Sequence, residues 1–149
     1  MIIAPNFSVE ELLVTSHSEL GTEVEQMPGR ALVNLGRLAW GVLQPLREHF
    51  DRPILVTSGY RGAALNKEVG GGPGSRHVMG CAADFVIKDI SPAEAWEEIL
   101  GRNLSRSVDF DRMCYYQGFG GGRFHVDIRE TLRQRKLLFV NTDDGWRSA

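Results

Sequence analysis

Cysteine is scarce in this chain: Cys81 and Cys114 are the only two in 149 residues, and they do not form a Cys-x-x-Cys pair. Two cysteines cannot build a disulfide framework, so both read as buried free thiols. Long apolar runs are missing too, and no segment approaches the length of a membrane span. Seventeen Lys and Arg against nineteen Asp and Glu leave a formal charge of −2. Without an overall basic field, nucleic acid is not an expected partner. Met1-Ile2-Ile3-Ala4-Pro5-Asn6 lacks the basic start, apolar core and small-residue cleavage site of a signal peptide. Synthesis in the cytoplasm is expected, with any export by another route.

What remains is the composition of a folded protein. Hydrophobic residues make up 42% and charged residues 24%, which argues against disorder. A chain of 149 residues can bury a real core and is too short for two ordinary domains, so residues 1–149 read as one.

The patterning predicts an α+β fold. Ser8-Val9-Glu10-Glu11 is a capping box that should open a first helix running past His17 toward Leu20. From Gly29, apolar residues at Leu32, Leu35, Leu38, Val42 and Leu46 trace one buried helical face, with a kink or restart near Gln44 forced by Pro45. Pro53 to Ser58 is a β-branched run that reads as a buried strand delivering Tyr60 and Arg61 at its exit. Ala63 to Val69 suits one or two helical turns. Ser91-Pro92-Ala93-Glu94 starts another helix that Gly101 ends. Ala82–Ile87, Asp111–Gln117 and Arg123–Ile128 read as strands, the last two joined by a glycine-rich turn, and Leu137–Val140 as a final strand before a polar end. The result is a central antiparallel sheet with helices on one side.

The glycine cluster from Gly70 to Gly74 is not a phosphate cradle, because it lacks a Gly-Lys-Ser/Thr ending and does not lead from a strand into a helix. It leads instead into Ser75-Arg76-His77-Val78-Met79-Gly80-Cys81-Ala82-Ala83-Asp84. Here a histidine and an aspartate lie seven residues apart among small residues. His125, in a short alternating run, offers a third ligand, and two imidazoles with one carboxylate are what a catalytic zinc with an open position uses. Strand alternation puts Asp84 on the face of Ala82 and Val86, and places Cys81 on the opposite face, as packing. His125 and Asp127 share a face as well. His17 and His49 read as structural or surface histidines.

Three ordered blocks, Ser58-Gly59-Tyr60-Arg61, Ser75-x-His77-x-x-Gly80-x-Ala82-x-Asp84 and Phe124-His125-Val126, resemble the zinc D-Ala-D-Ala carboxypeptidases. That group, the LAS-type metallopeptidases with a hedgehog/DD-peptidase fold, also holds D-Ala-D-Ala dipeptidases and phage L-alanyl-D-glutamate endopeptidases. The resemblance implies that His77, Asp84 and His125 bind zinc, that Arg61 binds a substrate carboxylate or carbonyl, and that Ser75 lines the same cleft. It implies hydrolysis of amide bonds in peptidoglycan stem peptides. A phage or prophage product, acting on the wall after lysis or from a virion, fits that role. Tyr60 reads as packing.

The chain departs from part of the group, in which a Glu or His lies shortly before the last ligand; Gly120, Gly121, Gly122 and Arg123 stand there. Asp127 is then the best candidate for the general base, with fixing a histidine tautomer as its alternative role. Asp109 and Asp111 are weaker candidates, with surface charge as the alternative. A noncatalytic zinc-bearing domain that binds wall peptides or a protein partner is the rival to the enzyme. A purely structural zinc fares worse, since such a site uses a fourth protein ligand.

Overall fold

The computed structural model describes residues 1–15, 26–101, 104–118 and 121–149. A short hairpin of β1 (Ile2–Ala4) and β2 (Phe7–Ser8) opens the chain. The capping box that follows is made: Ser8 N–H donates to Glu11 at 2.7 Å, and Glu11 N–H to Ser8 Oγ at 3.3 Å. It opens only a 3-10 turn, Glu10–Leu13, rather than the expected long helix. Leu12 is fully buried, and its carbonyl accepts the Tyr60 N–H at 2.8 Å. That hydrogen bond commits the carbonyl to another part of the chain, and the backbone turns extended at Val14. His17 and Leu20 lie outside the described residues.

α1 (Gly29–Leu38) passes into a π-helical stretch, Ala39–Leu43, and then α2 (Gln44–Phe50). Pro45 explains the irregularity. It has no N–H to return to the carbonyl of Gly41 four residues earlier, and that carbonyl instead accepts the Asp109 N–H at 2.7 Å. Leu35, Leu38, Val42, Leu43 and Leu46 stay fully buried through the junction, so the apolar face survives the change of winding.

Six strands form the main sheet: β3 (Ile54–Ser58), β4 (Ala82–Ile87), β5 (Arg112–Tyr116), β6 (Arg123–Asp127), β7 (Leu137–Thr142) and β8 (Gly145–Ser148). Their spatial order is β3-β4-β6-β5-β7-β8, and every neighbouring pair is antiparallel except β5 and β7. The α+β architecture with a central antiparallel sheet is as the patterning predicts. Two details differ. β3 is an edge strand with Leu55 exposed, not a buried one, because a β-branched run reports fit to a pleated surface and not the number of neighbours. β8 lies in the tail that reads as a polar end; its residues are mostly exposed, so there is no apolar alternation to betray it.

Between β3 and β4 lies α3 (Ala63–Glu68), and α4 (Pro92–Gly101) follows β4 with its Ser91–Glu94 capping box formed. Trp96 of α4 packs on Tyr115 and Phe124, at ring separations of 5.7 and 6.3 Å. One core joins α1, α2 and α4 to a single sheet face carrying Ala83, Phe85, Met113, Phe124 and Val126. α3 is the exception, since its buried Leu65 lines a cleft with Asp84 on the other face. Among the described residues no helix is long and apolar enough to cross a membrane.

The loop from Ser75 to Gly80 is tied to the helical layer by glycine. Gly80 has φ +70°, and a Cβ there would overlap the carbonyl oxygen of Ala31 in α1. Next to it the Met79 carbonyl accepts Asn34 Nδ2 at 2.9 Å. Gly80→Ala should therefore lower stability by more than the ~1–2 kcal/mol of the left-handed backbone alone, read as a lower urea midpoint. An unchanged midpoint would mean that α1 yields freely at this contact.

Candidate metal centre

Strand register assembles the centre on the sheet face opposite the helical core. Asp84 on β4 and His125 on β6 are direct cross-strand partners. His77 reaches them from the turn that precedes β4. Its Nδ1 lies 2.7 Å from the Gly59 carbonyl, and the bond requires an N–H at Nδ1, which leaves the Nε2 lone pair for a metal. Nε2 is 3.6 Å from Asp84 Oδ2, and His125 Nδ1 is 2.7 Å from Asp84 Oδ1. Gly59 serves this arrangement sterically, since a Cβ there would overlap the Leu12 carbonyl.

One donor atom from each of His77, Asp84 and His125 falls within a 4.8 Å span. Tetrahedral donors held at about 2.0–2.2 Å from one ion lie roughly 3.3–3.6 Å apart, so small side-chain rotations suffice. The donor set fits zinc: two imidazoles whose second nitrogens are held, one carboxylate, and a cleft alongside. Burial by itself raises the Asp84 pKa, but hydrogen bonds and charge from His125 and His77 outweigh it and hold the carboxyl well below its usual range. For His125, burial pushes the imidazole down, and hydrogen bonds to Asp127 and Asp84 outweigh it and raise it.

Asp84 borders a cleft of about 420 Å³ whose lining includes Thr57, Ser58, Arg61, Leu65 and Arg123. Arg61 Nε donates to Ser58 Oγ at 2.9 Å and its Nη2 to Asp84 Oδ2 at 3.1 Å. Arg61 is thus at the metal centre and not in a surface ion pair. Tyr60 is buried, as expected of packing. Ser75 lies in the turn that carries His77, half-buried, with its carbonyl accepting the Val78 N–H at 3.1 Å. Cys81 is fully buried in the core, and burial pushes its thiol up to about 11. His49 bonds Glu98 at 2.9 Å, away from the centre.

Asp127 shares the face of His125, as predicted, but stands behind the ring. It is fully buried, and its Oδ2 is 3.3 Å from His125 Nε2. Arg76 Nη1 reaches its Oδ1 at 2.6 Å and Arg112 Nη2 its Oδ2 at 2.6 Å. A carboxylate so enclosed cannot take a proton from a water in the cleft, so its position suits the tautomer-fixing role. Asp111 is also fully buried, paired with Arg76 at 2.8 Å and Arg135 at 2.7 Å. It is therefore neither a cleft base nor a surface charge. Asp109 is the surface charge, beside Lys136 at 3.2 Å.

Arg76, Arg112 and Arg135 are the residues that sequence reasoning passed over. Arg76 could have been noticed, because it sits inside the metal motif between Ser75 and His77. The pairing of Asp111 with Arg135 has no sequence signature; the parallel placement of β7 beside β5 creates it. In the stretch before His125, where part of the resembling group carries a base, Gly122 has φ +98°, and a Cβ there would lie 2.9 Å from Pro92 Cβ and 3.1 Å from the Tyr115 ring.

A six-stranded sheet in an α+β fold, with a two-histidine, one-carboxylate cluster on the face away from the helical core, defines a protein with a candidate site for a single metal ion. A family model described as Peptidase M15 matches residues 5–127, and the chain belongs to that family. It is also 30% identical over 130 residues to the zinc D-Ala-D-Ala carboxypeptidase of Streptomyces albus G. That match covers 80% of this chain and 48% of the relative, so the chain spans about half the length of the protein it matches. Zinc is the metal in that relative's name, and the donor set of His77, Asp84 and His125 suits it.

Proposed function

We propose that this chain is a zinc-dependent peptidase that hydrolyses amide bonds in peptidoglycan stem peptides, as a carboxypeptidase or an endopeptidase. The convergence of His77, Asp84 and His125 within 4.8 Å, with Arg61 beside them, carries the reading. Zinc bound there would supply Lewis acidity, lowering the pKa of a water and polarising the scissile carbonyl. The Gly59 carbonyl and Asp127 hold the two imidazoles in the tautomers and orientations that a metal needs. Arg61, its Nε fixed on Ser58, presents a guanidinium edge suited to a substrate carboxylate. We assign Asp127 to positioning His125 and not to proton transfer.

A second reading is a zinc-bearing domain that binds wall peptides or a protein partner without cleaving them. The run Gly120-Gly121-Gly122-Arg123, which holds no Glu or His where part of the resembling group carries a base, favours it. One assay separates the two. Purified protein is incubated with sacculi or synthetic stem peptides, with and without chelator, and products are identified by mass spectrometry. Chelator-sensitive cleavage is the expected result; zinc and peptide binding without cleavage would establish the second reading.

A further inference from the structure

Two buried carboxylates stand behind the metal centre, and one arginine joins them. Arg76 comes just before His77 in the turn that runs into β4. Its backbone closes that turn, since the Arg76 carbonyl accepts Met79 N–H at 3.2 Å and Cys81 N–H at 2.9 Å. Its side chain reaches toward the other histidine: a single nitrogen, Nη1, donates to Asp127 Oδ1 at 2.6 Å and to Asp111 Oδ2 at 2.8 Å. Asp127 Oδ2 in turn faces His125 Nε2 at 3.3 Å. Arg76 is therefore tied to His77 through the main chain and to His125 through one carboxylate.

The far end of this chain of contacts is fixed. Besides Arg76, Asp111 accepts the Arg135 backbone N–H at 3.0 Å, its Nε at 2.9 Å and its Nη2 at 2.7 Å. Neither Asp111 nor Asp127 has any exposed side-chain surface. Two such carboxylates side by side would repel each other without a cation between them, and a guanidinium anchored on a carboxylate that cannot turn has little freedom left. Arg112 covers the outer edge of Asp127, Nη2 to Oδ2 at 2.6 Å. An ionised Asp127 can only accept a hydrogen bond. It thereby calls for the His125 proton on Nε2 and leaves Nδ1 turned toward Asp84, 2.7 Å away.

We propose that Arg76 is a positioning residue of the metal centre. Its backbone shapes the His77 turn, and its guanidinium, anchored on Asp111, holds Asp127 against His125, so that one residue keeps both imidazoles in place for a metal. The inference deepens the proposed function and rests on its metal assignment, but it does not depend on turnover.

The test compares Arg76→Gln, Arg76→Lys and Asp111→Asn with wild type, and takes Ile99→Ala, in the buried face of α4, as a control for lost stability. Zinc affinity is measured by competition with a chromophoric chelator, and the imidazole N–H signals of the metal-free protein are followed by NMR. Arg76→Gln should bind zinc about 10–100-fold more weakly, the usual weight of a group that orients a ligand imidazole. Its His125 Nε2–H should exchange faster with water, while the His77 Nδ1–H on the Gly59 carbonyl keeps its wild-type signal, because the substitution leaves the backbone of the turn intact. Arg76→Lys, which keeps a charged nitrogen with donors for both carboxylates, should recover part of the affinity. Asp111→Asn should weaken zinc binding less, and adding it to Arg76→Gln should cost no further affinity. Ile99→Ala should lower the melting temperature and leave zinc affinity unchanged. Wild-type zinc affinity in folded Arg76→Gln overturns the proposal, as do an equal loss in Ile99→Ala or equal changes at both histidines. If Arg76→Gln does not fold, Arg76→Lys and Asp111→Asn decide, and wild-type affinity in both overturns it. Wild-type protein that binds no zinc overturns the metal assignment and this role with it; zinc binding that responds to Arg76 without any cleavage of stem peptides refutes the peptidase reading alone.

Discussion

Asp84→Ala should purify without stoichiometric zinc and should hydrolyse stem peptides at least about 10³-fold more slowly than wild type. Lewis-acid assistance is worth several kcal/mol of transition-state stabilisation, and each ~1.36 kcal/mol is a factor of ten in rate. Asp84 is the donor that His77 and His125 share: its Oδ1 lies 2.7 Å from one imidazole and its Oδ2 3.6 Å from the other. Its removal leaves two imidazoles with no charged ligand, which should not retain zinc through dialysis. The fold should survive, because Asp84 borders the open cleft and its loss makes no closed cavity. Metal content by mass spectrometry and a thermal melt are the paired readouts. Stoichiometric zinc in folded Asp84→Ala would remove Asp84 from the ligand set.

Asp127→Asn is expected to act on zinc affinity and on stability together. A group that orients a metal-binding imidazole is typically worth about 10–100-fold in metal affinity. Loss of the charge also leaves Arg76 and Arg112 facing a neutral amide in the interior. Breaking a buried ion pair costs about 3–5 kcal/mol, and the lower end applies because the Arg112 side chain is 42% exposed. The pH dependence distinguishes this from a packing defect. Burial alone pushes Asp127 up, but hydrogen bonds from His125 and Arg112 outweigh it and hold its pKa down. A depressed folded-state pKa contributes stability above the unfolded value, and that contribution is lost as pH falls through the folded value. Wild type should therefore lose stability on acidification below about pH 4, the unfolded aspartate range, and Asp127→Asn should lose less over that window. Parallel acid limbs for the two proteins would mean that Asp127 is not ionised in the native state.

Much of the fold is legible in the residues because local rules suffice for it. The apolar stripe from Leu32 to Leu46 and the Ser91–Glu94 box specify helices with little outside help. The alternation in Ala82–Ile87 and Arg123–Asp127 sorts the core from the site face. Local rules fail where a distant partner decides. The box at Ser8 is formed yet yields one turn, since the Leu12 carbonyl is taken by Tyr60 N–H. β8 is a strand only because β7 lies beside it.

The same division runs through the centre. Two histidines and an aspartate at motif spacing, an arginine at a strand exit and glycines before the strand of His125 are sequence facts. They were enough to nominate the metal ligands, because coordination chemistry restricts which side chains can serve. The partners of those ligands were not determined in this way. Asp127 lies behind His125, and Arg76 spans Asp111 and Asp127, because strands β4, β6, β5 and β7 bring residues from 76 to 135 together around two buried carboxylates. Spacing along the chain reports which chemistry is available. Whether a carboxylate faces water or an arginine depends on what packs over it, and only the tertiary structure decides that.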